Sequence, residues 1–357
     1  MRKKYFVKSI LKSISENSPL NCIVSNSKII LVVGNSNVRT ICGIEVSAVC
    51  PVDSLDNQIL KDGPRFINLE DIGNLINYKD PVFIHSLYSR QIADILSKIG
   101  IFNVIDITHL SWRNARMLDR ELISENIDSI AKVYDLLADY YSRDVLSMLL
   151  EFRIAMDPKI IKNSPYPQYH HPVIHPTSGE TFLDGGAFTG DTVIDFFNAL
   201  KGMMSAVCFE PDKENFKILE QNILDHKLFR KVKAVPLGLW SKSATLSFDS
   251  ASQSSRIVPD SSSTIKVIDI DTYCQRTGFI PSLIKMDVEG AELEALSGGE
   301  KTIRKYMPKM MVSAYHHGAH LWEIPLRLAE MGYTRIFMGH HPPEYTIYET
   351  VVYADAG

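Results

Sequence analysis

Three stretches of this chain combine residue types and spacing that could do chemistry. The first is TFLDGGAFTGDTVIDFF, starting at Thr181. An apolar strand pattern enters a glycine-containing loop, and a helix pattern follows at once. Gly185, Gly186 and Gly190 let the backbone turn tightly and approach a ligand closely. Loops of this kind often cradle phosphate on helix amides. Here no Gly-Lys-Ser/Thr follows, and Asp184 and Asp191 flank the glycines. They would repel a phosphate and suit a cationic ligand. An ordinary strand–loop–helix turn capped by Asp191 or Thr189 would carry the same letters. The second stretch is AVCFEPDKENFKIL, whose strand pattern ends in Glu210. An acid at the end of the second strand of a nucleotide-type fold accepts hydrogen bonds from both ribose hydroxyls. Asp212 suits the competing role of a helix N-terminal charge better than Glu210 does. Together the two stretches point to a nucleoside cofactor with a cationic reactive part.

The third stretch is LIKMDVEG. If its strand stays extended, Lys285, Asp287 and Glu289 point to one side. A strand's carboxyl end is where substrate contact is expected, with Glu289 and His317 as further contacts. The plainer account is a salt-bridged strand end with Glu289 capping the next helix. His316 and His317 close the following strand pattern. A hydroxyl nucleophile benefits from a base, and Asp287 or one of these histidines is expected to serve. His316, His317, His320, His340 and His341 do not show the spacing of a dedicated metal site. Neither do His170, His171 and His175 in the proline-rich stretch NSPYPQYHHPVIHP, so no metal is expected.

Elements must position these groups. From Thr181 on, strand patterns at TFLDGG, AVCFEP, KAVPLGL, LIKMDVEG, KMMVSAYH, TRIFMGHH and YETVVYAD alternate with helical ones, the last two strands being able to pair antiparallel. This is an α/β, doubly wound sheet with an antiparallel ending. A smaller α/β layer precedes it, with strand patterns at KIILVVG, EVSAVCP, DPVFIHS and NVIDI. Its first turn, GNSNVR, lacks the dinucleotide glycine fingerprint, so this layer reads as a degenerate Rossmann-like domain. The expected division is 1–110 for that layer, 111–165 for a helical connector and 166–357 for the catalytic domain. The apolar helical segment 127–156 is expected to pack between domains or between subunits of a homo-oligomer. The serine-rich stretch 248–264 reads as a polar loop. The N-terminal MRKKYFVKSILKSI reads as an amphipathic surface helix rather than a signal peptide.

Composition excludes several classes. The 357 residues include 45% hydrophobic and 22% charged, with formal net charge −4. Without a basic run, a nucleic-acid partner is not expected. No apolar stretch reaches bilayer length. Five scattered cysteines without a CxxC pair fit a reducing cytoplasm.

DGGAFTGDT, FEPD, LGLW, SSRI, LIKMDVEGAELEALSGGEKTI, YHH, HLWEIP and HHPPEYTIYETVVYA resemble the FkbM family of methyltransferases over roughly residues 151–353. The resemblance implies a class I methyltransferase fold with S-adenosylmethionine in the crevice. It implies Asp184, Gly186 and Gly190 beside the methionine part, with Gly185, Ala187, Thr189 and Asp191 of the same loop. Glu210 would hold the ribose. Pro211, Asp212 and the LGLW stretch, Gly238 and Leu239 in particular, would lie near the adenine. Asp287 would face the methyl group. The implied reaction is O-methylation of a sugar, glycan or related small molecule. In Ser254, Ser255 and Arg256, the arginine would bind a carboxylate or phosphate of the acceptor. Two competing readings are a non-catalytic binding protein on this fold and a nucleotide-sugar oxidoreductase using the N-terminal layer.

Overall fold

The computed structural model describes residues 2–16, 31–34, 40–41, 44–45, 48–50, 65–66, 81–86, 88–108, 120–202, 204–249, 256–257, 263–342 and 348–357. The N-terminal layer is a five-stranded parallel sheet. Its strands are β1 (Leu31–Gly34), β4 (Ala48–Cys50), β5 (Arg65–Phe66), β6 (Val82–His85) and β7 (Val104–Asp106), in the order β5-β4-β1-β6-β7. A short antiparallel pair, β2 (Thr40–Ile41) and β3 (Ile44–Glu45), lies between β1 and β4 in the chain. Val32, the VFI run of β6 and the VI run of β7 are β-branched or aromatic, and buried on a parallel sheet they need no polar alternation.

The larger sheet has seven strands. They are β8 (Thr181–Gly185), β9 (Ser205–Phe209), β10 (Val232–Val235), β15 (Leu283–Met286), β16 (Lys309–Ser313), β17 (Arg335–His340) and β18 (Thr350–Asp355). Their order is β10-β9-β8-β15-β16-β18-β17, and β18 is antiparallel to both neighbours. This is the class I methyltransferase arrangement, with the antiparallel ending expected from the sequence. The order reverses between β8 and β15, so the crevice outside their carboxyl ends is the place for a ligand.

Four elements differ from the sequence expectation. KAVPLGL is two strands, because Pro236 cannot donate to a ladder, and β11 (Gly238–Leu239) joins another sheet. That sheet, β11-β14-β12-β13, also contains β12 (Ala244–Asp249), β13 (Arg256–Ile257) and β14 (Ser263–Ile268). The supposed polar loop 248–264 therefore begins and ends in strands, and Ser254 and Ser255 lie outside the described residues. AELEALSGGEKTIRKY splits at Gly299 into two helices, Glu292–Gly298 and Glu300–Tyr306. A Cβ on Gly298 would lie 2.1 Å from the Trp240 carbonyl oxygen, so the chain comes too close there for any larger residue. Finally, LIKMDVEG leaves the sheet after Met286.

The N-terminal helix α1 (Arg2–Glu16) is docked rather than free on the surface. Phe6 and Ile10 are buried, and the Phe6 ring stacks on Tyr134 at 4.2 Å. Tyr134 belongs to the connector, whose helices are Arg120–Glu125, Ile127–Leu136 and Tyr140–Ala155. Asp139 caps the last of these by accepting from the Ser142 amide, and Met156 ends it in a left-handed conformation before Asp157–Pro158. Segment 127–156 packs within the chain. Ala138 N–H donates to Ile336 of β17, while Asp106 of β7 donates its N–H to Met156. One apolar cluster runs from Val32 and Phe83 through Leu146 and Leu150 to Leu183 and Ile284. No helix among the described residues is long and apolar enough to cross a membrane.

Candidate functional site: the cleft at the strand carboxyl ends

A cleft of about 430 Å³ opens where β8, β9 and β15 end. One end is bounded by Gly186, Phe188, Asp191, Thr192 and Glu210, and one apolar wall by Pro211, Leu239, Ile265 and Val267. The far end carries Gln168, Tyr169, Asp287, Glu289, Tyr315 and Glu349.

The glycine loop is tight for a steric reason. A Cβ on Gly186 would lie 1.8 Å from the Asp287 carbonyl oxygen, and the residue sits at φ +74. Gly186→Ala is expected to destabilise by about 3 kcal/mol or more, since overpacking adds to left-handed strain. Urea unfolding checks it, and a wild-type midpoint would show that the 287–291 loop yields freely.

Glu210 sits just beyond β9. Its Oε2 accepts from the Phe188 amide at 2.8 Å and its Oε1 from the Asp212 amide at 2.9 Å. Burial pushes its pKa up to about 7 against these amides. Both oxygens keep lone pairs for further donors. Asp212 does not line the cleft; it caps helix Lys213–Asp225 by accepting from Glu214 and Asn215.

Asp184 departs from its expected place. It is fully buried behind the loop, 3.0 Å from Lys285 Nζ, and does not line the cleft. Lys285 also donates to the Gly186 carbonyl at 2.8 Å. Burial raises the Asp184 pKa beyond what Lys285 lowers. Burial disfavours the Lys285 ammonium too, but Asp184 and then Asp287 outweigh it and raise its pKa. Lys285, which also lines the cleft, therefore ties β15 to the loop. Gly185, Ala187, Thr189 and Gly190 support the loop from behind, whereas Gly238 and Leu239 reach the cleft.

Asp287 lies beyond the end of β15. Tyr169 and Tyr315 donate their hydroxyls to its two oxygens, each at 3.2 Å. The Tyr315 hydroxyl also lies 3.3 Å from Glu349 Oε1, and Gln168 Nε2 donates to Glu349 Oε2 at 2.6 Å. Glu289 reaches the same end by a turn, with φ 53, and not by strand alternation. Eight non-glycine residues have left-handed backbone among the described residues. Met156, Lys201, Lys227 and Met307 follow helix ends, where that conformation is ordinary. The other four, Tyr169, Phe188, Glu289 and Glu349, all line the cleft. Such backbone costs about 1–3 kcal/mol per residue and persists where surrounding structure forces it.

His316 is tied to carboxylates rather than left open to the cleft. Its Nδ1 is 2.8 Å from Glu292 Oε1, and its Nε2 is 3.4 Å from Glu289 and 3.7 Å from Asp287. Burial lowers its pKa, but Glu292 and then Asp287 and Glu289 push it up to about 10. A histidine whose pKa is raised by carboxylates is poorly matched to proton removal near neutral pH. Glu292 Oε1 also accepts from the amides of Val288 and Gly290, so this pair clamps the loop that carries Asp287. Asp287, Glu292 and His316 bring ligand atoms within 4.8 Å of one another, and the short imidazolium–carboxylate contact accounts for that approach. His317 turns away towards Gly290 and His320. Arg256 begins β13.

The clamp has a pH signature. A histidine raised from 6.5 to about 10 on folding stabilises fully below pH 6.5, and that contribution is lost as pH rises towards 10. Urea midpoints are expected to fall across pH 6.5–10, and Glu292→Gln to flatten the fall. Equal slopes for both proteins would remove the clamp from the account.

The sequence reading missed Gln168, Tyr169, Phe188, Asn215, Ile265, Val267, Tyr315 and Glu349. The tyrosine next to His316 and the YET of the last strand were visible signals. Ile265 and Val267 were not, because they follow the stretch 248–264 read as a polar loop and no strand was assigned to them.

Comparisons with known proteins agree with this architecture. Residues 184–335 match the family model described as the methyltransferase FkbM domain. A crystal structure of a methyltransferase FkbM from Methylobacillus flagellatus superposes with a TM-score of 0.75 at 20% identity, covering 99% of this chain and 100% of that one. A precorrin-6y C5,15-methyltransferase from Geobacter metallireducens gives 0.33 at 12% identity over 50% of this chain and 79% of that one. Aeropyrum pernix fibrillarin, solved with natively bound S-adenosyl-L-methionine, gives 0.34 at 12% over 50% and 67%. No curated protein sequence matches the chain. The chain thus has a class I methyltransferase fold, within which residues 184–335 match the methyltransferase FkbM domain.

Proposed function

We propose that this protein transfers a methyl group from S-adenosylmethionine to a hydroxyl oxygen of a sugar-like or related hydroxylated small molecule. The observation that carries the reading is a single cleft with nucleoside-type groups at one end and ionisable groups at the other. Glu210 stands where a ribose diol can donate to it, and Pro211, Leu239, Ile265 and Val267 make an apolar slot suited to adenine. The N-terminus of helix Asp191–Ala199 opens on the cleft and suits the cofactor's carboxylate. The donor, when bound, supplies a methyl group already activated on a sulfonium.

The residues then have little covalent work and mostly orient and exclude water. The acceptor oxygen forms the new bond to carbon as the carbon–sulfur bond breaks, its electron pair going to sulfur. The hydroxyl proton passes to a carboxylate at the far end. Asp287 is the first choice, since two tyrosine hydroxyls fix it there. His316 and Glu292 hold its loop as positioning residues. We read residues 1–110 as a supporting layer, 111–165 as the connector and 166–357 as the catalytic domain.

Isothermal titration with S-adenosylmethionine tests the reading, followed by assay of S-adenosylhomocysteine release with a panel of hydroxylated acceptors. Binding and turnover support it. Binding without turnover on a broad panel favours a recognition protein on the same fold, and no binding removes the cofactor.

A further inference from the structure

The charge balance at the far end of the cleft goes beyond this reading and rests on it. Asp287, Glu289 and Glu349 line that end, with Glu292 directly behind. Lys285 is the one cation among the described residues that line the cleft, and it is committed to Asp184 and the Gly186 carbonyl. The His316 imidazole, itself only 10% exposed, is drawn to Glu292 at 2.8 Å and serves Glu289 and Asp287 at longer range. Carboxyl groups therefore outnumber the cations facing them. An acceptor bearing phosphate or carboxylate here would meet like charge in a partly desolvated space. A neutral polyol could donate hydroxyls to these oxygens but would leave their charge unbalanced.

We propose that the acceptor carries an ammonium close to the hydroxyl that is methylated, as in an amino sugar or amino polyol, and that Glu289 and Glu349 hold it. Both glutamates stand on left-handed backbone and line the same cleft. Gln168 donates to Glu349 and so orients it, and the Tyr315 hydroxyl lies 3.3 Å from its other oxygen. Burial first, and neighbouring carboxylates next, leave Glu349 with a pKa of about 7; at Glu289 the pull of His316 comes between them and the value is again about 7. An arriving cation would relieve that mutual repulsion and draw both into the ionised form. This differs from the anionic acceptor group that Arg256 suggests in the sequence.

The test uses the full chain saturated with S-adenosylhomocysteine, so that cofactor binding is not part of the signal. It is titrated at pH 7.5 with glucamine, sorbitol and gluconate, which share a polyol chain and differ in the charge at one end. Glucamine is expected to bind at least about tenfold more tightly than sorbitol, with gluconate weakest. Glu349→Gln and Glu289→Gln, each first checked for S-adenosylhomocysteine binding as proof of folding, are expected to erase most of the preference. Sorbitol binding as well as glucamine, gluconate binding better, or no binding of glucamine overturns the proposal. So does a preference that survives in both variants. Failure of S-adenosylhomocysteine to bind the wild type strikes at the methyltransferase reading instead, and the proposal falls with it.

Discussion

Glu210→Ala is expected to weaken S-adenosylmethionine binding by about 100-fold, from the loss of hydrogen bonds to a charged group worth about 1.5–3 kcal/mol each. Two things are lost together. The carboxylate can no longer accept from a ribose diol, and the amides of Phe188 and Asp212 lose the acceptor that holds both loop edges. Glu210→Gln should fall between, because an amide keeps one acceptor oxygen but turns a donor towards one of those amides. The wild type should also show pH dependence. With a pKa raised to about 7 by burial, the ionised form that best accepts from a diol grows from pH 6 to pH 8. Affinity should rise over that interval by up to about tenfold and be flat in Glu210→Gln. Calorimetry on the three proteins at the two pH values decides it. Unchanged affinity in Glu210→Ala would take the ribose role away from this residue.

Asp184→Ala is expected to destabilise the protein by about 3–5 kcal/mol, the usual cost of leaving one member of a buried ion pair alone. Lys285 Nζ is 3.0 Å from Asp184, and its side chain is only 4% exposed, so water cannot replace the lost carboxylate. Adding Lys285→Met to the alanine variant should recover a large part of the loss, because the pair can be replaced by apolar volume more cheaply than it can be halved. Urea unfolding of the single and double variants separates the two costs. A single variant as stable as the wild type would mean that the ammonium escapes to another acceptor. The result also matters for cofactor studies. Loss of binding in Asp184→Ala would report a damaged loop rather than a missing ligand contact, and Glu210 is the cleaner probe.

Some of this site was readable in the letters. Gly186 and Glu210 follow strand patterns at spacings that only a strand–loop–helix unit satisfies, and both line the cleft. Asp287 was found for a reason that proved incomplete. Alternation on a strand was to bring Lys285, Asp287 and Glu289 to one face, but the strand stops at Met286. A left-handed turn at Glu289 delivers that carboxyl to the same space, while Lys285 is taken up by Asp184. His316 shows the opposite failure. Its type suggested a base, yet its protonation depends on Glu292, which is near in sequence to Asp287 and meets His316 only across two strand ends.

The sequence by itself determined the doubly wound class, its antiparallel ending and the crevice at which a cofactor would lie. Those follow from hydrophobic period, glycine position and the rule that connections on a parallel sheet cross over in one hand. Only the tertiary structure decided which charged groups face the cleft and in what state. It brought Gln168, Tyr169 and Glu349 to Asp287 from far along the chain. It also buried Asp184 with Lys285 and set His316 against Glu292, which raises the histidine's pKa. The physical reason is that protonation and access depend on desolvation and on charges within a few ångströms, and neighbours at that distance are set by packing rather than by position in the sequence.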